Sequence, residues 1–73
     1  MAEQSEELKK LVAVATDLVL SAKLRIEAIE SIGNIGSHDA LLALLGLAAN
    51  EQLTRREREL ALKRAREIVR SSR

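Results

Sequence analysis

Cysteine, proline, phenylalanine, tyrosine and tryptophan are all absent from these 73 residues, and glycine occurs only at Gly33, Gly36 and Gly46. Without cysteine there is neither a disulfide nor a thiolate metal site. That absence fits a reducing compartment, and the expected location is cytoplasmic. Without aromatic side chains the core has to be assembled from Leu, Ile, Val and Ala, and no ring is available to stack on a nucleic-acid base. No apolar run approaches the roughly 18 residues of a membrane span. Met1 to Glu7 is acidic and polar, unlike a secretory signal. What remains is dominated by Ala, Leu, Glu, Lys and Arg, the strong helix formers, so the composition predicts an all-α chain. Below about 70–80 residues one apolar core rarely supplies more than about 3–5 kcal/mol. A chain of this size therefore needs very regular helix packing, self-association or a partner.

The formal charge is +1, unevenly placed. Residues 1–36 carry four basic and six acidic side chains, a net of −2, and residues 37–73 carry eight and five, a net of +3.

Sliding the chain along itself by 33 residues aligns it without a gap. Identities fall at Leu8 and Leu41, Leu11 and Leu44, Ala15 and Ala48, Leu20 and Leu53, Arg25 and Arg58, Ala28 and Ala61, and Ile35 and Ile68. Conservative pairs such as Asp17 with Asn50, Ser21 with Thr54 and Ile29 with Leu62 lie between them. A fixed period of this length is the mark of a repeat architecture. One domain over 1–73 is expected, with repeat one at 4–36 and repeat two at 37–69. Apolar residues at helical spacing and cap signals predict helices near 5–18, 22–34, 38–49 and 55–70. Ser21 offers an N-cap oxygen, Gly33 and Gly36 bracket the end of the second helix, where a left-handed C-cap suits glycine, and Thr54 with Glu57 fits a capping box. The short connections force sequential helices to run antiparallel, so the expected fold is four antiparallel helices in two stacked helical hairpins.

The stretch Arg25-Ile-Glu-Ala-Ile-Glu-Ser-Ile-Gly-Asn-Ile-Gly36, followed by Ser37-His-Asp-Ala-Leu-Leu-Ala-Leu-Leu45, resembles short HEAT-like repeats of the kind found in phycobilin lyases. The resemblance covers about residues 5–70 and departs from the pattern in the second copy, where Arg66 and Val69 replace the glycines. It implies a right-handed helical solenoid whose members mostly bind proteins, and it implies no catalytic residue. Bilin chemistry, known for some relatives, has no counterpart among these side chains. In such units the arginine at positions 25 and 58 is expected to reach toward a loop or toward an acid or carbonyl of the neighbouring unit, with Asp17 and Asn50 as plausible acceptors.

Few residues suggest chemistry. His38 stands alone, and a metal site would need carboxylate help. Ser37, His38 and Asp39 are consecutive and cannot face one another as a catalytic triad does. No nucleophile–base pair or phosphate loop is visible, so neither catalysis nor a cofactor, metal or small-molecule substrate is expected. The basic residues of the last helix point several ways and are interrupted by Glu57, Glu59 and Glu67, whereas nucleic-acid helices usually carry a clustered stripe.

The expected function is a protein–protein interaction module or small adaptor, acting on another protein or on a second copy through an aliphatic helical surface. The first helix suggests the surface, because its apolar residues cover more than one stripe while an end helix of a repeat array should be polar outside. The expected contacts are Leu11, Val14, Leu18 and Leu42, with Arg55, Arg56 and Lys63 as an electrostatic rim. The alternatives are a nucleic-acid-binding helical domain that uses the basic last helix, and a purely structural domain. Arrays normally need about three or more units, so two units predict a homodimer, a complex with a larger protein, or part of a longer solenoid.

Overall fold

Two turns, 33 residues apart, carry the same set of hydrogen bonds. After the first helix the Asp17 carboxylate accepts the Val19 N–H at 3.0 Å, and after the third the Asn50 amide oxygen accepts the Gln52 N–H at 2.9 Å. The N–H of Leu20 donates to the Asp17 carbonyl as that of Leu53 donates to Asn50, both at 3.1 Å. Ser21 and Thr54 then cap the next helix: the Leu24 N–H donates to Ser21 Oγ and the Glu57 N–H to Thr54 Oγ1. Short polar side chains that bind nearby backbone compete with helical hydrogen bonds, which is why they stop one helix and start another.

The computed structural model describes residues 2–71, with side chains from Glu6 onward. It is all-helical, with α1 at Ala2–Ala15, α2 at Ala22–Ile35, α3 at His38–Ala48 and α4 at Arg55–Ser71, and there is no strand among the described residues. The ends of α2, α3 and α4 lie within a residue of the sequence expectation. The end of α1 does not. The apolar run Leu18-Val19-Leu20 suggested a helix to about residue 18, but the Thr16 hydroxyl donates back to the Val12 carbonyl at 2.9 Å and the Asp17 turn closes the helix. Leu18 and Val19 therefore lie in the turn, 51% and 93% exposed, and not on a face of α1.

Gly36 ends α2 in the left-handed conformation, φ 69°, which an L side chain enters only at a cost. Ser37 follows as the N-cap of α3, its Oγ accepting the Ala40 N–H at 3.1 Å, which gives this serine a capping role. Gly33 serves a different purpose from a cap: it lies inside α2, and a Cβ there would run into the Arg64 guanidinium.

α1 packs mainly on α2 and α3 mainly on α4, while α2 also packs on α4 and α3; α1 touches α3 but does not reach α4. The core contains Ile29, Ile32, Leu44, Leu47, Leu53 and Ile68, with Ala15, Ala28, Ala40, Ala61 and Ala65 where helices lie close. Small residues let aliphatic helices approach closely enough to exclude water without aromatic bulk. The radius of gyration is 11.2 Å, which matches the roughly 11 Å of a compact chain this long. No described helix is long and apolar enough to cross a membrane.

Candidate functional site: an open groove between α3 and α4

Leu41, Leu45 and Ala48 recur at helical spacing along α3, and Arg58, Leu62, Ala65, Arg66 and Val69 along α4. Between them runs an open apolar groove. One part, about 450 Å³, is lined by Leu41, Leu45, Leu62, Ala65, Arg66, Val69 and Arg70. A neighbouring part of about 400 Å³ shares Leu62 and adds Ala48, Arg55, Arg58 and Glu59. Leu45, Leu62 and Val69 keep 43%, 37% and 54% of their surface exposed.

Two of these positions are better covered 33 residues earlier, Leu62 at Ile29 and Leu45 at Val12, while Leu41 and Ala65 are covered much as Leu8 and Ile32 are and Gly36, the counterpart of Val69, is exposed. Ile29 and Ile32, which correspond to Leu62 and Ala65, are fully buried, and Leu8 and Val12, which correspond to Leu41 and Leu45, are half-buried against the core. α4 lies along this earlier face. Leu60 meets the Ile26–Glu30 edge of α2, and Arg64 passes over Gly33 to donate from Nη2 to Asn34 Oδ1 at 2.7 Å.

A buried ion pair fixes that contact. Glu57 has no exposed surface and uses both carboxylate oxygens. Oε1 accepts the Thr54 N–H at 3.1 Å and completes the capping box. Oε2 accepts Arg25 Nε at 3.2 Å and Nη2 at 2.9 Å, the two-pronged geometry a guanidinium offers a carboxylate. Arg25 Nη1 meanwhile donates to the Leu20 carbonyl at 2.6 Å. Arg25 thus reaches a loop carbonyl and an acid, as expected of the arginine at this position, whereas the Arg58 guanidinium reaches neither among the described residues. Asp17 and Asn50, however, spend their side-chain oxygens on the Val19 and Gln52 N–H groups, and Asp17 offers Arg25 only its backbone carbonyl at 3.5 Å.

Burial raises the proton affinity of the Glu57 carboxyl, but the hydrogen bonds from Arg25 and Thr54 and the guanidinium charge outweigh it. The group is held below its ordinary value of 4.5. A carboxyl that binds its proton more weakly in the fold than in the unfolded chain stabilises the fold above the unfolded pKa, and that stabilisation is lost as pH falls through the folded value. Unfolding free energy is thus expected to hold above about pH 5 and to decline in more acid solution. Urea titrations at several pH values check this, and Glu57→Gln should flatten that part of the profile.

The residues expected from the sequence to form one contact surface lie in several places. Leu11 and Val14 are half-buried on α1 and pack against the core. Leu18 lies exposed in the first turn. Leu42 is exposed on α3, beside the groove-lining Leu41 but not itself a lining residue. Arg55 is paired with Glu59 at 3.3 Å, both largely exposed. Arg56 and Lys63 flank the α2–α4 contact on the side away from the α3–α4 groove. The groove residues Leu45, Leu62, Ala65 and Val69 were not singled out as a contact surface, although the 33-residue shift pairs Leu62 with buried Ile29.

His38 is exposed at the start of α3, and among the described residues no three His, Asp or Glu side chains are placed to hold a metal ion. Compared with known proteins, the chain matches no family model, no curated protein and no solved structure.

Proposed function

We propose that this chain is a non-catalytic protein-interaction module, two stacked HEAT-like hairpins that receive a partner protein in the groove between α3 and α4. The observation that carries this reading is the contrast between equivalent faces. Ile29 is fully buried and Val12 half-buried, whereas their counterparts Leu62 and Leu45 are exposed along an open apolar groove. A contiguous apolar surface rimmed by charge is the usual form of a protein-binding site. The duplicated turn hydrogen bonds support the repeat reading, since two segments that fold alike locally present alike surfaces.

Arg66 and Arg70 border the groove, so an acidic partner surface fits better than a basic one. Phosphate recognition is less well supported. Arg64 is engaged by Asn34 and Glu67, Arg55 by Glu59, and Arg56 and Lys63 lie away from the groove. Binding driven by phosphate would weaken steeply with salt, and binding through the groove would not.

The test is quantitative affinity capture with the native chain, Leu45→Glu/Val69→Glu, and Leu18→Glu/Val19→Glu. All four positions are exposed, so each variant should keep its unfolding midpoint. Proteins retained at moderate salt should be lost from the first variant and kept by the second. Equal capture by both variants, or loss from the second alone, would overturn the groove assignment. Light scattering over a wide concentration range shows whether a second copy is itself the occupant.

A further inference from the structure

Arg58 is the repeat counterpart of Arg25. Each stands four residues after a helix N-cap, and each N–H donates to the cap carbonyl, Ser21 in one case and Thr54 in the other. Their side chains differ. Arg25 is fully engaged by Glu57 and by the Leu20 carbonyl. Arg58 is half-buried and lines the groove, and its guanidinium makes no hydrogen bond or ion pair among the described residues. A guanidinium nitrogen removed from water without an acceptor is costly and calls for one. The acceptor that serves Arg25 comes from α4, and among the described residues no helix gives Arg58 a corresponding carboxylate.

We infer that the α3–α4 face takes a partner helix whose first turn carries a glutamate placed against Arg58, as α4 places Glu57 against Arg25. This rests on the groove reading above and adds the chemistry and register of the occupant. Along α4 the residues that follow Glu57 at the contact are Leu60 and Arg64, three and seven positions on. The partner's residue three positions after its glutamate would lie toward Glu59 and Lys63, the counterparts of Ile26 and Glu30, so an uncharged side chain with a long aliphatic stem suits it, as Leu60 does in α4. Seven positions after the glutamate the requirement changes. Arg64 fits because α2 offers Gly33, whereas α4 presents Arg66 at the equivalent place. An arginine would there meet another arginine, so a glutamate or a small residue belongs in the partner.

A second copy of this chain fits poorly. By the same 33-residue equivalence its α2 would occupy the groove, with Leu24 where the carboxylate is required and Glu27 where the uncharged side chain belongs. That arrangement leaves Arg58 without an acceptor and brings Glu27 toward Glu59.

The probe is a synthetic peptide of residues 53–71, held helical by a lactam between Glu59 and Lys63, with Arg64→Glu and with Arg55, Arg56, Arg66 and Arg70 each replaced by glutamine. Its binding to the full chain is read by fluorescence anisotropy. Saturable binding is expected, weakened about tenfold or more by Glu57→Gln in the peptide or by Arg58→Met in the protein, since pairs of this kind contribute roughly that much. The two changes together should weaken it no further than either alone. Arg58→Met keeps the aliphatic stem and should leave the unfolding midpoint within a few degrees of the native chain, which separates lost recognition from lost folding. Charge reversal, Arg58→Glu with Glu57→Lys in the peptide, should restore binding.

Binding indifferent to both single changes but abolished by Leu45→Glu/Val69→Glu would overturn the glutamate inference and leave the groove reading intact. Absence of saturable binding would overturn the inference as well, and the capture experiment then judges the groove separately. Association of the chain with itself, competing with the peptide, would replace the partner helix by a second copy.

Discussion

Replacing Glu57 with leucine is expected to cost about 3–5 kcal/mol, close to all the stability a chain of this size has. Three losses coincide. Arg25 is left charged and buried with only loop carbonyls for company, the Thr54 N–H loses its acceptor, and the contact between α2 and α4 loses its polar fixing point. Arg25→Met should be similarly damaging, because Glu57 would then be buried with a charge that only Thr54 helps to hold. The pair is more informative than either change. Arg25→Met/Glu57→Leu removes both charges and should recover part of the loss, since two apolar groups of like volume tolerate burial better than one unpaired ion. Recovery should fall short by about 0.5–2 kcal/mol for the missing cap. Urea unfolding followed by far-ultraviolet circular dichroism measures all four proteins. A double variant whose loss equals the sum of the two single losses would mean that the pair is not coupled.

Much of this was readable from residues that act locally. Ser21, Gly36, Ser37 and the Thr54–Glu57 box mark helix ends because each binds or bends backbone within a few residues, and the structure uses every one of them. Thr16 and Asp17 act locally too, but the apolar run behind them resembled one more helical turn and masked the stop. The second role of Glu57 was not visible, because its partner lies 32 residues away and depends on how α4 settles on α2. The spacing of Leu62 and Val69 along the last helix suits a buried stripe. Spacing shows that a side chain can be buried; whether anything arrives to cover it depends on how many helices follow. Only comparison of Leu62 with its covered equivalent, Ile29, separates an inner position from an open one.

That comparison gives the second large effect. Ile29 has no exposed surface, so Ile29→Ala removes most of its side chain from a closed site and leaves a cavity, at an expected cost of about 2–5 kcal/mol. Leu62 stands 33 residues later, but 37% of its surface is exposed and it faces the groove. Leu62→Ala deletes groups partly in water already, and the neighbouring space is already open, so the cost should stay near 1 kcal/mol. The unfolding free energies of Ile29→Ala and Leu62→Ala, measured side by side on dilute chain, test most directly whether the α3–α4 face is the uncovered counterpart of the face buried inside. A large loss for Ile29 beside a small one for Leu62 is the predicted result. Equal and large losses would contradict it, since Leu62 would then be covered already, by its own chain or by another copy.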